Sequence, residues 1–140
     1  MNLNHRRFCV WFGFAFSLLF THKINKVHTM KPLYDDFLTV TRGIVEAHYD
    51  DESFGCPELC EALQMSRSHV HRKLVAEVNM SCSEFIQQIR LEKARELLLN
   101  TNESIHEIAY KVGYSDANYF SRSFSKIYGY PPSQCRQMSA

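Results

Sequence analysis

An all-α fold of about seven helices is what this sequence predicts, and three observations carry the expectation. Glycine and proline are scarce, five and four among 140 residues, and runs of alternating β-branched residues are absent; both facts remove the signals of strands and hairpins. Apolar residues recur instead at three- and four-residue spacing between capping residues. One compact pattern also occurs twice, about fifty residues apart. At 45% hydrophobic the chain suits one globular domain, or two small ones sharing a helix.

In chain order, Asp35 or Asp36 can cap a first helix running to about Tyr49, with Phe37, Leu38, Thr41, Ile44, Val45 and His48 at helical spacing. Residues 50–55 form a loop. Pro57 suits the first position of a second helix ending near Leu63, with Glu58 at its positive end. Ser66 caps a third, to about Glu77, and Asn79 is a left-handed terminator. Ser81 or Ser83 opens a long helix to about Asn100. Its apolar residues, among them Phe85, Ile89, Leu91, Ala94 and Leu98, cover a wide arc, as a connector packed on two sides requires. Ser104 and Glu107 form a capping box for the fifth helix. Asp116 caps the sixth, Gly129 ends it near Tyr128, and Pro132 begins a short seventh.

The repeated pattern reads Leu59-Cys60-x-x-Leu63-Gln64-Met65-Ser66 in its first copy and Ile108-Ala109-x-x-Val112-Gly113-Tyr114-Ser115-Asp116 in its second. With Arg72 aligned on Arg122, Val70 matches Phe120 and Leu74 matches Phe124, so the second turn is one residue longer. A short helix, a tight turn and a capped helix with a polar face make a helix-turn-helix, the device that sets side chains in a DNA groove. The units fall at about 57–77 and 104–128, joined by a connector at about 82–100. With Val70, Leu74, Phe120 and Phe124 turned inward, the outward sets are Arg67, Ser68, His71 and Arg72, and Ala117, Asn118, Ser121 and Arg122. Arginine can bond guanine at two atoms and asparagine adenine, so these are the candidate base contacts. Ser66, Lys73, Arg90, Asp116, Ser123 and Lys126 are candidate contacts to the DNA backbone. Tyr114, Tyr119 and Tyr128 are expected as core or boundary aromatics, and His69 and His71 as polar surface rather than a metal pair.

Bulk charge argues mildly the other way. All fifteen acids lie from Asp35 onward while four of the sixteen Lys/Arg precede Met30, so residues 31–140 carry −3. Nucleic-acid binders are usually basic. The local distribution favours binding all the same, because no acid occurs between Met65 and Ala76. Five cysteines (Cys9, Cys56, Cys60, Cys82, Cys135) are odd in number and show no repeated CxxC pair, which points to a reducing compartment. Cys56 and Cys60 share a helix face; buried packing is the leading reading, and a thiol- or metal-responsive switch the alternative. No metal, cofactor or catalytic residue is expected.

Residues 1–30 differ from the rest. Arg6 and Arg7 precede an apolar run, Phe8–Phe20, of thirteen residues, against the roughly 17–25 needed to cross a bilayer. Three readings are open: a non-native start with translation beginning at Met30, a membrane-associating or regulatory tail, and a signal peptide, though no small-residue cleavage site follows. Membrane association of residues 8–20 is the less favoured reading.

From about Asp36 to Arg136 the chain resembles the DNA-binding domain of the AraC/XylS family of bacterial transcription regulators. The resemblance rests on Ile108-Ala109-x-x-x-Gly113-Tyr114, Asn118-Tyr119-Phe120-Ser121-Arg122-x-Phe124 and Gly129-x-x-Pro132-x-x-x-Arg136. The connector matches too, in Phe85-Ile86-x-x-x-Arg90-Leu91-x-x-Ala94-x-x-Leu97-Leu98. Cys60, Asn79, Ser125, Pro131 and Cys135 depart from the usual residues. The resemblance implies two reading helices in successive major grooves of double-stranded DNA, a cytoplasmic regulator, activation through RNA polymerase, and no enzymatic activity. No small-molecule effector domain is evident; the chain reads as a stand-alone DNA binder or a piece of a longer regulator.

Overall fold

The computed structural model describes residues 34–138, which form seven helices and, among these residues, no strand. They are α1 (Tyr34–Ala47), α2 (Cys56–Ala62), α3 (Arg67–Val78), α4 (Cys82–Asn100), α5 (Ile105–Lys111), α6 (Ala117–Tyr128) and α7 (Pro132–Gln137). The apolar run at 8–20 lies outside the described residues. None of the described helices is long and apolar enough to cross a membrane.

The local signals fix most boundaries. The main-chain N–H of His69 reaches the Ser66 hydroxyl, and that of Tyr119 the Asp116 carboxylate. Glu84 returns to the Ser81 N–H at 2.8 Å and Glu107 to the Ser104 N–H at 2.7 Å, completing two capping boxes. Asn79 (φ 55°) and Gly129 (φ 80°) end α3 and α6 in the left-handed conformation. The first helix is the exception. It spans Tyr34–Ala47 and so takes in both Asp35 and Asp36. It also stops at Ala47, where a turn from His48 N–H to the Val45 carbonyl at 3.1 Å bends the chain and frees Tyr49 for another role.

Two apolar cores share one helix. The first gathers Phe37 and Val45 of α1, Phe54 of the loop that follows it, Leu59 and Cys60 of α2, Val70 and Leu74 of α3, and Phe85, Ile86 and Ile89 of α4. The second gathers Leu91, Ala94 and Leu98 of α4 with Ile108, Ala109, Val112, Tyr114, Phe120, Phe124 and Cys135. The wide apolar arc of α4 therefore serves two clients, and the division falls at Arg90, between Ile89 and Leu91. Each fully buried aliphatic or aromatic side chain contributes about 1.5–3 kcal/mol. Thr41 is buried on α1 without penalty, because its hydroxyl donates to the Phe37 carbonyl at 2.6 Å. Cys135 and Pro132 are buried too, so the departures at α7 leave its packing intact.

Candidate nucleic-acid interface

The two units are built on one hydrogen-bond frame. In the first, Leu63 N–H donates to Leu59 (3.0 Å), Gln64 to Glu61 (2.9 Å) and Met65 to Cys60 (3.0 Å). In the second, Val112 donates to Ile108 (3.1 Å), Gly113 to Tyr110 (3.0 Å) and Tyr114 to Ala109 (3.0 Å). Gln64 (φ 53°) and Gly113 (φ 79°) occupy the same left-handed position. Ser115 is the extra residue before the second cap. Small buried residues, Cys60 and Ala109, stand at equivalent places on the short helices.

On α3 the geometry agrees with the sequence. Val70 and Leu74 are fully buried, while Arg67, Ser68, His69, His71 and Arg72 are exposed. Arg67, Ser68 and His71 line one groove with Ser81, Cys82 and Ser83 at the start of α4. Lys73 does not join them: it is half-buried, its Nζ 4.5 Å from the centre of the Phe37 ring on α1.

On α6, Phe120 and Phe124 are fully buried and Asn118, Arg122 and Lys126 exposed. Ala117 and Ser121 are half-buried, and the Ser121 hydroxyl donates to the Ala117 carbonyl at 2.8 Å. That proton is committed to the helix, so Ser121 can only accept from a base. No acid lies within α6, and the negative charge that Lys126 meets comes from another helix, the Glu84 carboxylate of α4.

Two of the expected backbone contacts turn their polar groups toward the protein. Ser123 is buried, and its hydroxyl accepts from Gln87 Nε2 at 3.1 Å. It follows Arg122 in sequence, but one residue turns a helix by about 100°, which carries it to the α4 side. Arg90 is half-buried and spends Nη2 on the carbonyls of Asp51 (2.6 Å) and Phe54 (3.0 Å). Burial lowers its guanidinium below the ordinary arginine value, and the neighbouring Tyr114 and Asp51 oppose that shift.

Tyr119 is the most exposed of the three tyrosines expected at the core or its boundary, its ring 5.8 Å from that of Tyr114. It is 53% exposed at the start of α6, at the mouth of a cleft whose walls include Ser83, Gln87, Arg90, Ser115 and Tyr114. This cleft separates the two units. Cys56 and Ser83 line both this cleft and the α3 groove, so the two concavities adjoin at the start of α4. Ser83, Gln87 and Ser115 carry no sequence signal of this placement, since only the packing of α4 against both units brings them together.

Cys56, Cys60 and Cys82 are buried together, with the Sγ atoms of Cys56 and Cys60 3.9 Å apart. Burial, then the neighbouring Cys56 thiol, pushes Cys60 and Cys82 up, away from the reactive thiolate. Among the described residues no group of three His, Cys, Asp or Glu is placed to hold a metal.

Comparison with known proteins agrees with this geometry. Residues 59–138 match the family model described as a helix-turn-helix domain. The chain is 38% identical over 85 residues to the HTH-type transcriptional activator RhaR of Mannheimia succiniciproducens, a match covering 61% of this chain and 31% of that protein. It is 34% identical over 106 residues to histidine kinase P4 of Formosa agariphila, covering 76% of this chain and 8% of that protein. The chain thus spans a third or less of the length of these relatives. The C-terminal domain of AraT, a response regulator from Geobacillus stearothermophilus, superposes with a TM-score of 0.67 at 32% identity, over 79% of this chain and 88% of that one. The chain belongs to the AraC/XylS-type helix-turn-helix family of DNA-binding transcription regulators.

Proposed function

We propose that this protein binds double-stranded DNA at a specific sequence and activates transcription, with α3 and α6 in successive major grooves on one face of the duplex. The carrying observation is the pair of matched turns, each followed by a capped helix with an exposed polar face. Arg67, Ser68, His71 and Arg72 read one half of the site; Asn118 and Arg122, with Ala117 and Ser121 beside them, read the other. Ser66, Asp116 and Lys126 lie at the helix ends where phosphates pass, the two caps offering main-chain amides. Activation proceeds by contact with RNA polymerase, in the cytoplasm, and the chain catalyses no reaction. The two activators' kinship supports that direction: RhaR, and the RhaS protein of Escherichia coli at 32% identity over 93 residues, are both named for it.

Selection of bound duplexes from a random pool by the purified chain tests the reading. Against the selected site, Arg72→Ala and Arg122→Ala each lose about 1–3 kcal/mol and relax preference at one base position. Lys126→Ala weakens all sequences alike and reduces the salt slope by about one. Equal loss on random and selected DNA for the two arginine variants contradicts their role as base readers.

A further inference from the structure

One side chain stands where the two units meet. Arg90 lies between Ile89, in the first core, and Leu91, in the second. On one side its Nη2 serves two carbonyls of the loop that follows α1, those of Asp51 and Phe54. On the other side lies the turn of the second unit: a Cβ added at Gly113 would sit 3.0 Å from Arg90 Cζ and Nε, and 2.5 Å from the Tyr49 carbonyl. Loop, guanidinium and turn are stacked with no room for a methyl group. Around this stack the links between units are few. Tyr49, from the same loop, packs on the second core, and Gln87 of α4 bonds Ser123 of α6. The cores are otherwise separate, so apart from these links the angle between the units rests on how each packs against α4.

We propose that Arg90 is a positioning residue that fixes the angle between the two reading helices and thereby the half-site spacing the protein accepts. The inference rests on the reading of both units as DNA readers. Successive major grooves recur about every 34 Å, or 10–10.5 base pairs. Adding one base pair turns the second half-site by about 34°, so a rigid pair of readers discriminates spacing and a loose pair does not. Arginine suits the task because its planar fork holds two acceptors at fixed directions while its flat face packs against backbone. Lysine is a point charge and would hold one carbonyl without fixing orientation.

The test compares the full chain with Arg90→Ala and Arg90→Lys on a duplex selected by the unaltered protein. The other probes are that duplex with either half-site scrambled, and with one base pair added or removed between the halves. Folding is followed by circular dichroism in parallel. On half-site duplexes Arg90→Ala is expected to bind within about twofold of the parent. On the intact duplex it loses about tenfold, because the second contact no longer benefits from a fixed effective concentration. Its preference among spacings flattens, and Arg90→Lys falls between. Should the alanine variant unfold, the lysine variant keeps charge and stem and supplies the same comparison. Equal losses on half-sites and intact duplex, or a spacing profile unchanged in the folded variants, overturns the assignment of Arg90 alone. Failure of the unaltered protein to select any duplex sequence overturns the DNA-reading function and the proposal with it.

Discussion

The first and second helix-turn-helix units share a backbone and differ in what fills it. Directly behind the first reading helix stand aliphatic side chains and a thiol, Leu59, Cys60, Val70 and Leu74, with Phe37, Phe54 and Phe85 in the same core. Behind the second is an aromatic stack: Phe120 packs edge-on to Tyr114 at 5.4 Å, and Phe124 contacts Tyr128 at 4.5 Å and Tyr130 at 6.2 Å. The turns differ as well. Gln64 bears the left-handed conformation with a side chain in solvent, whereas Gly113 cannot carry one because Arg90 and the Tyr49 carbonyl press against it. The same local fold can therefore be reached by different packing, provided that the turn hydrogen bonds and the cap are kept.

The largest effects are expected where the fills differ. Phe124→Ala should cost about 3–5 kcal/mol and Leu74→Ala about 2–5 kcal/mol in urea unfolding. A Phe124→Ala loss below 1 kcal/mol would mean that the aromatic stack is not what holds the second unit. Next come the turns. Gly113→Ala should destabilise by at least about 1–3 kcal/mol, since it adds both a collision and a strained φ. Gln64→Gly should be neutral or stabilise by up to about 1 kcal/mol by relieving a strained non-glycine residue. Equal costs at the two positions would show that the turns are equivalent after all. The caps should be more alike: Ser66→Ala and Asp116→Ala each cost about 0.5–2 kcal/mol.

The smallest effect is one of pH. Hydrogen bonds from the Ser81 main chain and hydroxyl hold the Glu84 carboxyl below its ordinary 4.5, and those from Ser104 do the same for Glu107. A depressed folded-state value means that the stabilisation is complete above 4.5 and fades as pH falls through the folded value. Melting temperatures of the parent should therefore decline on the acid side, and Glu84→Gln and Glu107→Gln should each make that decline shallower. A decline identical in parent and variants would remove the capping boxes from the account.

Much of this was legible because it is local. A serine three residues before a glutamate, an asparagine at a helix end or a phenylalanine pair four apart each acts within one or two turns of chain, and each appears in the structure where the spacing puts it. Sequence says least where a side chain's role depends on a partner far away in the chain. Arg90 and Ser123 look like free polar groups on helices, and only the packing of α4 against the loop after α1 and against α6 turns them inward. Tyr119 has packing spacing relative to its neighbours but sits on the exposed start of α6, where the cleft between units opens. The base contacts themselves are placed by burial only as far as which side chains face outward.

The division of α4 between two cores also bears on how this protein can be cut. A fragment stopping at Asn100 would keep Leu91, Ala94 and Leu98 with nothing to cover them, and one starting at Cys82 would bare Phe85, Ile86 and Ile89. Either piece would carry a greasy flank into water and tend to clump, so each reader needs its companion for solubility as much as for address.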